Sequence, residues 1–300
     1  MDEEGDGSPR RTDASPLRPS VAIERGDDDY PAALLDLPQP PSTIWVIGDL
    51  EVLNRPVVSI VGTRKATAYG ERVTRELAGA LARAGACVVS GMALGIDGVA
   101  HRAALDAGGK TAAVLGTGVD IAYPPSHRAL HARIAAEGLL LSELAPGAHS
   151  HAGSFPKRNR LIAALARLTI IVEAPVGSGA IRYTARDAAD LNRDVGVVPG
   201  PIDSPKCEGS NLLLRDGAQA IMSPADALSL LGLTAPVRTL IEPQDPDQLC
   251  VWQALKQGAA DVDTLCHRAS LPVQRCLAAV TALELNGSIE CALTGEVRRR

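Results

Sequence analysis

Val57-Val-Ser-Ile-Val-Gly-Thr-Arg-Lys65 is the stretch of sequence that decides the fold. Its first five residues form an apolar run rich in β-branched side chains, which is typical of a strand buried on both faces of a sheet. After the Gly62-Thr63 turn, residues 68–84 carry apolar side chains at helical spacing, and Gly85 ends the pattern. A buried strand, a turn and an amphipathic helix indicate one unit of a parallel sheet covered by helices.

The same unit recurs along the chain. Residues 57–231 therefore predict an α/β domain, an extended Rossmann-like and mostly parallel sheet with helices on both faces. Five further strands are predicted at Cys87–Ser90, Thr111–Leu115, Leu139–Ser142, Thr169–Glu173 and Val195–Val198. Helices are predicted between them, including Pro156–Ala166 and Ser178–Leu191.

The segments on either side of this domain differ in composition. Residues 1–29 are acidic and poor in apolar side chains, and they predict a disordered tail. Residues 30–56 predict a lead-in segment packed on the main domain, with a strand-like run at Thr43–Ile47. Residues 232–244 contain two prolines and predict a linker.

Residues 245–300 predict a small C-terminal winged-helix domain. Three helical patterns end near Asn286, and two strand-like runs then bracket Thr294-Gly295, which is the winged-helix order. The segment holds 6 Lys and Arg against 7 Asp and Glu. Because helices that read the major groove normally present a basic face, we expect a protein-contact or regulatory role for it.

The charge of the chain is unevenly distributed. The net charge of −5 taken alone argues against a nucleic-acid partner. However, residues 1–56 hold 5 Lys and Arg against 12 Asp and Glu, whereas residues 57–222 hold 18 against 14. The central domain is therefore mildly basic, and local charge is what a phosphate backbone meets.

The cysteines and the hydropathy pattern exclude several classes of protein. The six cysteines form no CxxC pair, and no histidine lies at zinc-finger spacing from them. No secretory segment precedes them, and no run of about 18 apolar residues is long enough to span a membrane. The sequence predicts reduced cysteines in a cytoplasmic protein, with no metal site and no membrane segment.

The ends of the predicted strands indicate an anion site. Each strand is followed by glycine or a small polar residue, and ligands of parallel sheets bind at this edge. Glycine turns alone would explain any one of these loops, but cations at two of them, Arg64-Lys65 and Lys157–Arg160, favour an anion. The Gly116-Thr-Gly118 loop has Ile121 where a dinucleotide fingerprint needs its third glycine, so no nicotinamide cofactor is predicted.

Phe155-Pro-Lys-Arg-Asn-Arg160 is the most basic stretch outside the last three residues. Charged runs usually form a solvated surface, but cations at the start of a helix oppose the helix dipole. Three of them there are costly unless an anion joins them, which favours phosphate binding. Phe155 either stacks on a base or anchors the loop.

Four other polar residues allow two readings each. Asp97 and His101 share a helix face and are either a metal pair or, with no third ligand nearby, residues whose hydrogen bonding fixes the helix at the edge of the sheet. Glu143 and Glu173 follow strands and are either paired catalytic carboxylates or groups that orient neighbouring arginine and asparagine side chains. We favour the structural reading for all four.

Six motifs occur in an order that resembles the DNA-processing protein DprA (Smf) family. They are Val58-Ser-Ile-Val-Gly-Thr-Arg64, Ser90-Gly-Met-Ala-Leu-Gly-Ile-Asp97 with Ala100-His101, Gly116-Thr-Gly118 with Tyr123-Pro124, Ser142-Glu143, Phe155-Pro-Lys-Arg-Asn-Arg160 and Val198-Pro-Gly200. The resemblance covers about residues 30–230. It implies a cofactor-free domain that binds single-stranded DNA without cutting it, protects incoming DNA in natural transformation, and loads RecA recombinase as a homodimer.

The resemblance also implies residue roles. Arg64 resembles the arginine that contacts the DNA backbone. The surrounding anion loop is implied at Gly62, Thr63, Ser90 and Gly91, with the second cation Lys65 beside it. The other half of the pocket is implied at Phe155, Lys157, Arg158, Asn159 and Arg160.

The chain departs from the family pattern at two places. Ser178-Gly-Ala-Ile-Arg-Tyr-Thr-Ala185 has eight residues where the family has seven, which leaves the register of Arg182 and Tyr183 open. The acidic tail is also too short for the sterile-alpha-motif domain with which many members begin.

Two other functions remain open. One is a nucleotide-processing, phosphoribohydrolase-like enzyme on a related scaffold, using Glu143 or Glu173, although Pro175-Val-Gly-Ser-Gly-Ala180 only partly imitates the loop of that group. The other is a pure interaction module.

Overall fold

The structure is a computed structural model that describes residues 18–151, 153–234, 242–292 and 295–299. Its strands are β1 Val21–Glu24, β2 Thr43–Gly48, β3 Val57–Val61, β4 Cys87–Ser90, β5 Lys110–Leu115, β6 Leu139–Ser142, β7 Leu168–Ile171, β8 Asp194–Val197, β9 Gln219–Ala220, β10 Ile289–Cys291 and β11 Val297–Arg299. Its α-helices are α1 Ala68–Arg83, α2 Ile96–Asp106, α3 Arg128–Glu137, α4 Ser154–Leu165, α5 Arg186–Asp190, α6 Glu208–Arg215, α7 Pro224–Leu230, α8 Pro246–Ala254, α9 Val262–Ala269 and α10 Val273–Leu285.

The first nine strands form one sheet in the order β1-β2-β6-β5-β4-β3-β7-β8-β9. The seven strands from β6 to β9 are parallel, and β1 and β2 complete the sheet in antiparallel pairing. The chain winds outward from β3 to β6, then returns across the sheet and continues from β7 on the other side of β3. The order of the strands thus reverses between β3 and β7, where Val61 pairs with Ile171. Such a switch point is where open α/β sheets hold ligands.

Helices cover both faces of the sheet, as the apolar strands predict. In β3, Val57 and Val61 face the core beneath α4, while Val58 and Ile60 face the core beneath α1 and α2. Between them, the Ser59 hydroxyl donates a hydrogen bond to Thr169 Oγ1 on β7 at 2.8 Å. The predicted fold class is therefore confirmed.

The prediction of a disordered tail over residues 1–29 needs correction. Residues 1–17 lie outside the described part of the chain, but Val21–Glu24 is a strand that pairs with β2. Ile23 is buried, whereas Val21 is 57% exposed. The strand is stabilised mainly by its pairing with β2, and a composition dominated by acidic residues hides it. The strand-like run at Thr43–Ile47 is confirmed as β2.

The single helix predicted over Ser178–Leu191 also needs correction. The structure has a six-residue π-helix at Ala180–Ala185, which continues directly into α5. A π-turn takes up one more residue than an α-turn in the same place. Thr184 and Ala185 at the end of this wider turn are buried.

The chain divides into two compact units between residues 236 and 237, inside the segment predicted as a linker. Residues 235–241 of that linker and Thr294 of the predicted turn lie outside the described residues. The second unit consists of α8, α9 and α10 followed by the antiparallel pair β10 and β11, which confirms the winged-helix order. Its core contains Trp252, Leu265 and Leu283.

The recognition-helix position of this second unit is not a free basic surface. Arg275, in the first turn of α10, forms two hydrogen bonds with the Asp247 carboxylate, at 2.7 and 2.5 Å. Val273 and Leu277 on the same helix are 52% and 45% exposed. The protein-contact role expected for this unit stays a prediction.

Candidate functional site

A cavity of about 360 Å³ lies at the switch point between β3 and β7. Its walls come from four segments: the turn after β3, the loop after β4, the first turns of α4, and the loop and π-helix after β7. Parallel strands bring their carboxyl ends to one edge of the sheet, so residues far apart in sequence meet here. The volume is that of pockets that hold small organic groups.

Arg64 and Phe155 stand together at this cavity. The Arg64 side chain is exposed, and its Cζ lies 5.6 Å from the centre of the Phe155 ring. Within the described residues Arg64 forms no ion pair. Phe155 also packs against Tyr123, with ring centres 5.2 Å apart. An unpaired cation over an aromatic ring is suited to a ligand that carries both negative charge and a flat ring.

Arg158 points into the protein instead. It is 6% exposed, and its Nη1 donates to the carbonyl oxygens of Gly91, at 2.6 Å, and Val114. Burial lowers the pKa of its guanidinium to about 10, an effect that Asp97 partly opposes. A Cβ on Gly91 would lie 2.5 Å from Arg158 Nη2, so a larger residue there would displace the guanidinium. Arg158 therefore fixes the loop after β4 against β5 and adds positive potential to the cavity wall.

Two uncharged polar groups of the cavity wall have no partner within the described residues. The Asn159 amide oxygen accepts a hydrogen bond from Arg158 Nε at 3.0 Å, which leaves its Nδ2 group as an unused donor. The Ser178 hydroxyl is buried and unpaired. Because buried polar groups normally find partners, the Ser178 hydroxyl is positioned to bond a polar edge of a ligand, and the partly buried Asn159 Nδ2 group is a second donor beside it.

Lys157 and Arg160 turn toward Glu143 rather than the cavity. Arg160 Nη2 donates to both Glu143 oxygens, at 2.8 and 2.7 Å, and Lys157 Nζ lies 3.2 Å from Oε1. Glu143 is thus an anion that joins two of these cations within the protein, so their position at the start of a helix does not by itself require a bound phosphate. Glu143 has the orienting arrangement that the sequence predicts.

The loop after β4 is held from inside. Asp97 Oδ2 accepts hydrogen bonds from the amides of Gly91 and Ala93, at 3.1 and 3.4 Å. The fully buried Ser90 hydroxyl donates to the Ile60 carbonyl at 2.6 Å. These contacts are made within the protein, so Ser90 and Asp97 shape the loop.

The residues of the turn after β3 differ in whether they line the cavity. Gly62 and Thr63 line the cavity with Arg64. Thr63 Oγ1 accepts from the Lys65 amide at 3.2 Å, and Thr63 N donates to the Glu173 carbonyl at 2.6 Å. Lys65 is exposed but lies outside the cavity wall.

Glu173 supports the start of α1. It is 1% exposed, and its carboxylate accepts hydrogen bonds from the amide and the hydroxyl of Thr67, at 2.9 and 2.5 Å. Thr67 is the residue that caps α1. Glu173 thus orients a helix cap, not the arginine or asparagine side chains that the sequence analysis proposed as its partners.

His101 is part of a buried hydrogen-bonded chain. Thr111 Oγ1 donates to the Val88 carbonyl at 2.5 Å, so it accepts from His101 Nδ1 at 2.7 Å. His101 Nε2 is buried without a partner among the described residues. Burial lowers the pKa of this imidazole to about 3, and His127 adds to the effect. Asp97 and His101 therefore bond different elements, and no cluster of three or more potential metal-binding side chains occurs in the part of the chain described.

Lowering the pH is expected to lower the free energy of unfolding, because His101 is buried in its neutral form. Its folded pKa lies below the unfolded value of 6.5, so the unfolded chain binds the proton first and stability falls as pH falls from 6.5 toward 3. Between pH 7.5 and 5 the loss from His101 is about 2 kcal/mol. Urea unfolding at both pH values measures it. His101→Asn keeps a donor near the Nδ1 position. Between pH 7.5 and 5, its free energy of unfolding should fall by about 2 kcal/mol less than that of wild type. An equal fall in both proteins would contradict the prediction.

Several residues of this cavity have no role that could be assigned from the sequence. Ser178, Tyr183 and Thr184 line it from the segment after β7. The register of Tyr183 was left open because its segment has one residue more than the family pattern. That extra residue was the available signal that this segment differs. Tyr123 occurs in a family motif but is brought to Phe155 only by the fold.

The chain matches two descriptions of known protein families. Residues 21–232 match DNA recombination-mediator protein A, and residues 235–292 match the DprA winged helix domain. The chain belongs to the DNA recombination-mediator protein A (DprA) family. The resemblance seen in the six motifs is thus confirmed. No helix in the described ranges combines the length and apolar character that crossing a bilayer requires.

Three relatives illustrate how similar this chain is to known proteins. The chain is 44% identical to the Smf protein of Synechocystis sp. over 210 residues, 69% of this chain and 52% of that protein, so it spans about half of this relative. The X-ray structure of DprA from Streptococcus pneumoniae is 36% identical, with a TM-score of 0.68 over 71% of this chain and 75% of that one. DNA processing protein A from Helicobacter pylori, whose structure addresses its single-stranded DNA binding mode, is 34% identical, with a TM-score of 0.64 over 71% and 95% of the two chains.

Proposed function

We propose that this DprA-family protein binds single-stranded DNA at the switch-point cavity without cutting it. In this proposal it acts as a homodimer in the cytoplasm, protects incoming strands during natural transformation, and loads RecA recombinase onto them. The similarity to the H. pylori protein supports the choice of ligand. The roles in transformation and RecA loading rest on the family resemblance.

Arg64 carries the proposal. It is exposed, has no ion pair within the described residues, and lies over the Phe155 ring beside a cavity with unused polar groups. A second, smaller cavity of about 80 Å³ also includes Arg64 and Phe155 in its wall, together with Tyr123. A strand whose phosphate binds Arg64 would have aromatic surface on either side for its bases.

The enzymatic alternative has less support. Glu173 and Glu143 do not line the 360 Å³ cavity, and both carboxylates are engaged with other protein groups. Asp97 does line it, and burial raises the pKa of its carboxyl, but one oxygen is held by two amides of its own loop. A general acid or base must reach the proton that it transfers, and Glu143 and Glu173, the two carboxylates that this alternative uses, do not border the cavity.

One titration tests the proposal. Labelled oligothymidylate and a duplex of equal length are titrated with the protein over a salt series, with binding followed by fluorescence anisotropy. We expect tighter binding of the single strand, and a log–log salt slope of about −0.7 for each phosphate contacted. Preference for duplex, or binding that salt does not weaken, would overturn it. Release of free base from nucleoside monophosphates would instead support the enzyme.

A further inference from the structure

Two cysteines of the second unit lie in contact with each other. The unit contains four of the six cysteines of the chain, and all of them are free thiols. Cys266 lies on α9 and Cys276 on α10. Both pack in the apolar interior of this unit, and their thiols are within hydrogen-bond distance of each other. Two free thiols in contact are the precursor of a disulfide bond.

The backbone holds this pair together. The Leu271 amide donates a hydrogen bond to the Cys266 carbonyl at 3.1 Å, and the Cys276 amide donates to the Pro272 carbonyl at 3.0 Å. Both cysteines are therefore bonded to the same turn between α9 and α10, which begins at Ser270 in the left-handed conformation, with a φ of 53°. A disulfide needs nearby Cα atoms and side chains directed at each other. The shared turn and the thiol contact favour both conditions.

The two thiols differ in their access to solvent. Cys276 is fully buried, whereas Cys266 is half-buried. Burial raises the pKa of the Cys276 thiol to about 12, and the neighbouring Cys266 adds to the effect. Because the thiolate is the species that attacks a disulfide, a reagent in solution reacts first at Cys266. Cys276 then lies beside the product and is placed to react with it.

The other two thiols of the second unit do not share these features. Cys250, on α8, is exposed. Cys291, on β10, is partly buried; burial raises the pKa of its thiol, and Glu284 adds to the effect. Within the described part of this unit, Cys266 is the thiol that interacts with Cys276.

We propose that Cys266 and Cys276 are a modification site, which a low-molecular-weight disulfide such as oxidised glutathione converts to an intramolecular disulfide. The bond would join α9 to α10. This inference does not depend on the proposed DNA binding, because the pair lies in the second unit and the switch-point cavity lies in the first. Disulfides of proteins in reducing compartments are usually transient and redox-sensing, so we expect the bond to form and break with the state of the surrounding thiols.

The reaction consists of two balanced thiol–disulfide exchanges. The Cys266 thiol loses its proton to solvent, and its thiolate attacks one sulfur of the oxidant. The sulfur–sulfur bond of the oxidant breaks, and the leaving thiolate takes up a proton. The Cys276 sulfur then loses its proton, attacks the Cys266 sulfur and displaces the second thiol. One molecule of oxidant is thus reduced to two thiols, while two protein thiols are oxidised to one disulfide.

Peptide mapping tests the pair in the full chain carrying Cys250→Ser, a substitution that removes the exposed thiol of this unit. Circular dichroism verifies that the reaction starts from folded protein. The protein is incubated with oxidised glutathione, its remaining thiols are blocked with N-ethylmaleimide in denaturant, and the unreduced peptides are identified by mass spectrometry. We expect a cross-linked pair of peptides that contain Cys266 and Cys276, with no glutathionyl group on either. Dithiothreitol should restore both thiols.

Alanine variants of the same chain test the order of the two exchanges. Cys276→Ala should accumulate a mixed disulfide between Cys266 and glutathione, because the thiol that displaces it is missing. Cys266→Ala should leave Cys276 unmodified, because that thiol is buried. Cys291→Ala is the matched control and should form the cross-link as the parent chain does.

Three results on the parent chain would overturn the proposal, whether or not the alanine variants fold. The first is a cross-link from Cys266 to Cys291 in place of Cys276. The second is a glutathione adduct that persists on Cys266 although Cys276 is present. The third is recovery of both Cys266 and Cys276 as free thiols after oxidation.

Discussion

Arg158→Ala is expected to lower the free energy of unfolding by about 3–5 kcal/mol, the size measured when one member of a buried charged network is removed. The substitution would leave the carbonyl oxygens of Gly91 and Val114 without their donor in a dry interior. It would also remove the positive charge that opposes the raised pKa of the buried Asp97 carboxyl. Chemical denaturation followed by circular dichroism measures the loss.

Lys157→Ala is the matched control for this substitution. Lys157 is the neighbouring cation on the same helix, but its side chain is 59% exposed and its partner is Glu143. An exposed ion pair of this kind contributes about 1 kcal/mol or less. The loss in free energy of unfolding for Arg158→Lys should lie between those of the two alanine variants, since one ammonium group cannot reproduce the guanidinium fork. If both alanine variants unfold at the same denaturant concentration as wild type, Arg158 does not hold the loop after β4 in the way described.

The contrast between these two residues shows what the sequence could not predict. In sequence, Lys157, Arg158 and Arg160 form one basic cluster, and their charges give no sign of which will be buried. A helix places successive side chains about 100° apart. Arg158 therefore points into the protein, while Lys157 and Arg160 point to Glu143. The basic stretch was recognisable, but its division into a buried and an ion-paired part depends on the packing of α4.

Features that depend on local pattern were predictable. The run Val57–Val61 followed by glycine specifies a buried strand and its end, and the repeated unit specifies a parallel sheet and the edge that holds ligands. Features that depend on distant partners were not. Glu173 accepts a hydrogen bond from Thr67, the residue that caps α1, and no spacing rule reveals this contact across 106 residues. The strand Val21–Glu24 buries little apolar surface of its own and is recognisable only beside β2.

The extra residue of Ser178–Ala185 was only partly predictable. The sequence shows that the segment is longer than its family pattern, but a loop, a shifted helix and a wider turn would all accommodate one residue. The structure has the wider turn, and Ala180 at its start and Thr184 and Ala185 at its end are buried. The exposed side chains of this turn are those of Arg182 and Tyr183, the two residues whose register was left open.

Arg64→Ala is expected to weaken the binding of single-stranded DNA about ten- to hundred-fold, the size of a lost hydrogen bond between charged groups. The salt slope should become shallower by about 0.7, because one phosphate contact is lost. Stability should barely change, since the side chain is exposed and has no ion pair within the described residues. Anisotropy titrations with oligothymidylate at several salt concentrations measure both quantities.

Arg72→Ala is a close control for this prediction. Arg72 is also exposed, and its Cζ also lies 5.6 Å from the centre of an aromatic ring, that of Tyr69, yet it is outside the cavity wall. Both variants remove one positive charge and one cation–π contact. If charge alone attracted the strand, Arg64→Ala and Arg72→Ala would weaken DNA binding equally. If a phosphate binds at the switch point, only Arg64→Ala should weaken it. Arg64→Lys should keep most of the salt slope and only part of the affinity, because lysine retains the charge without the fork.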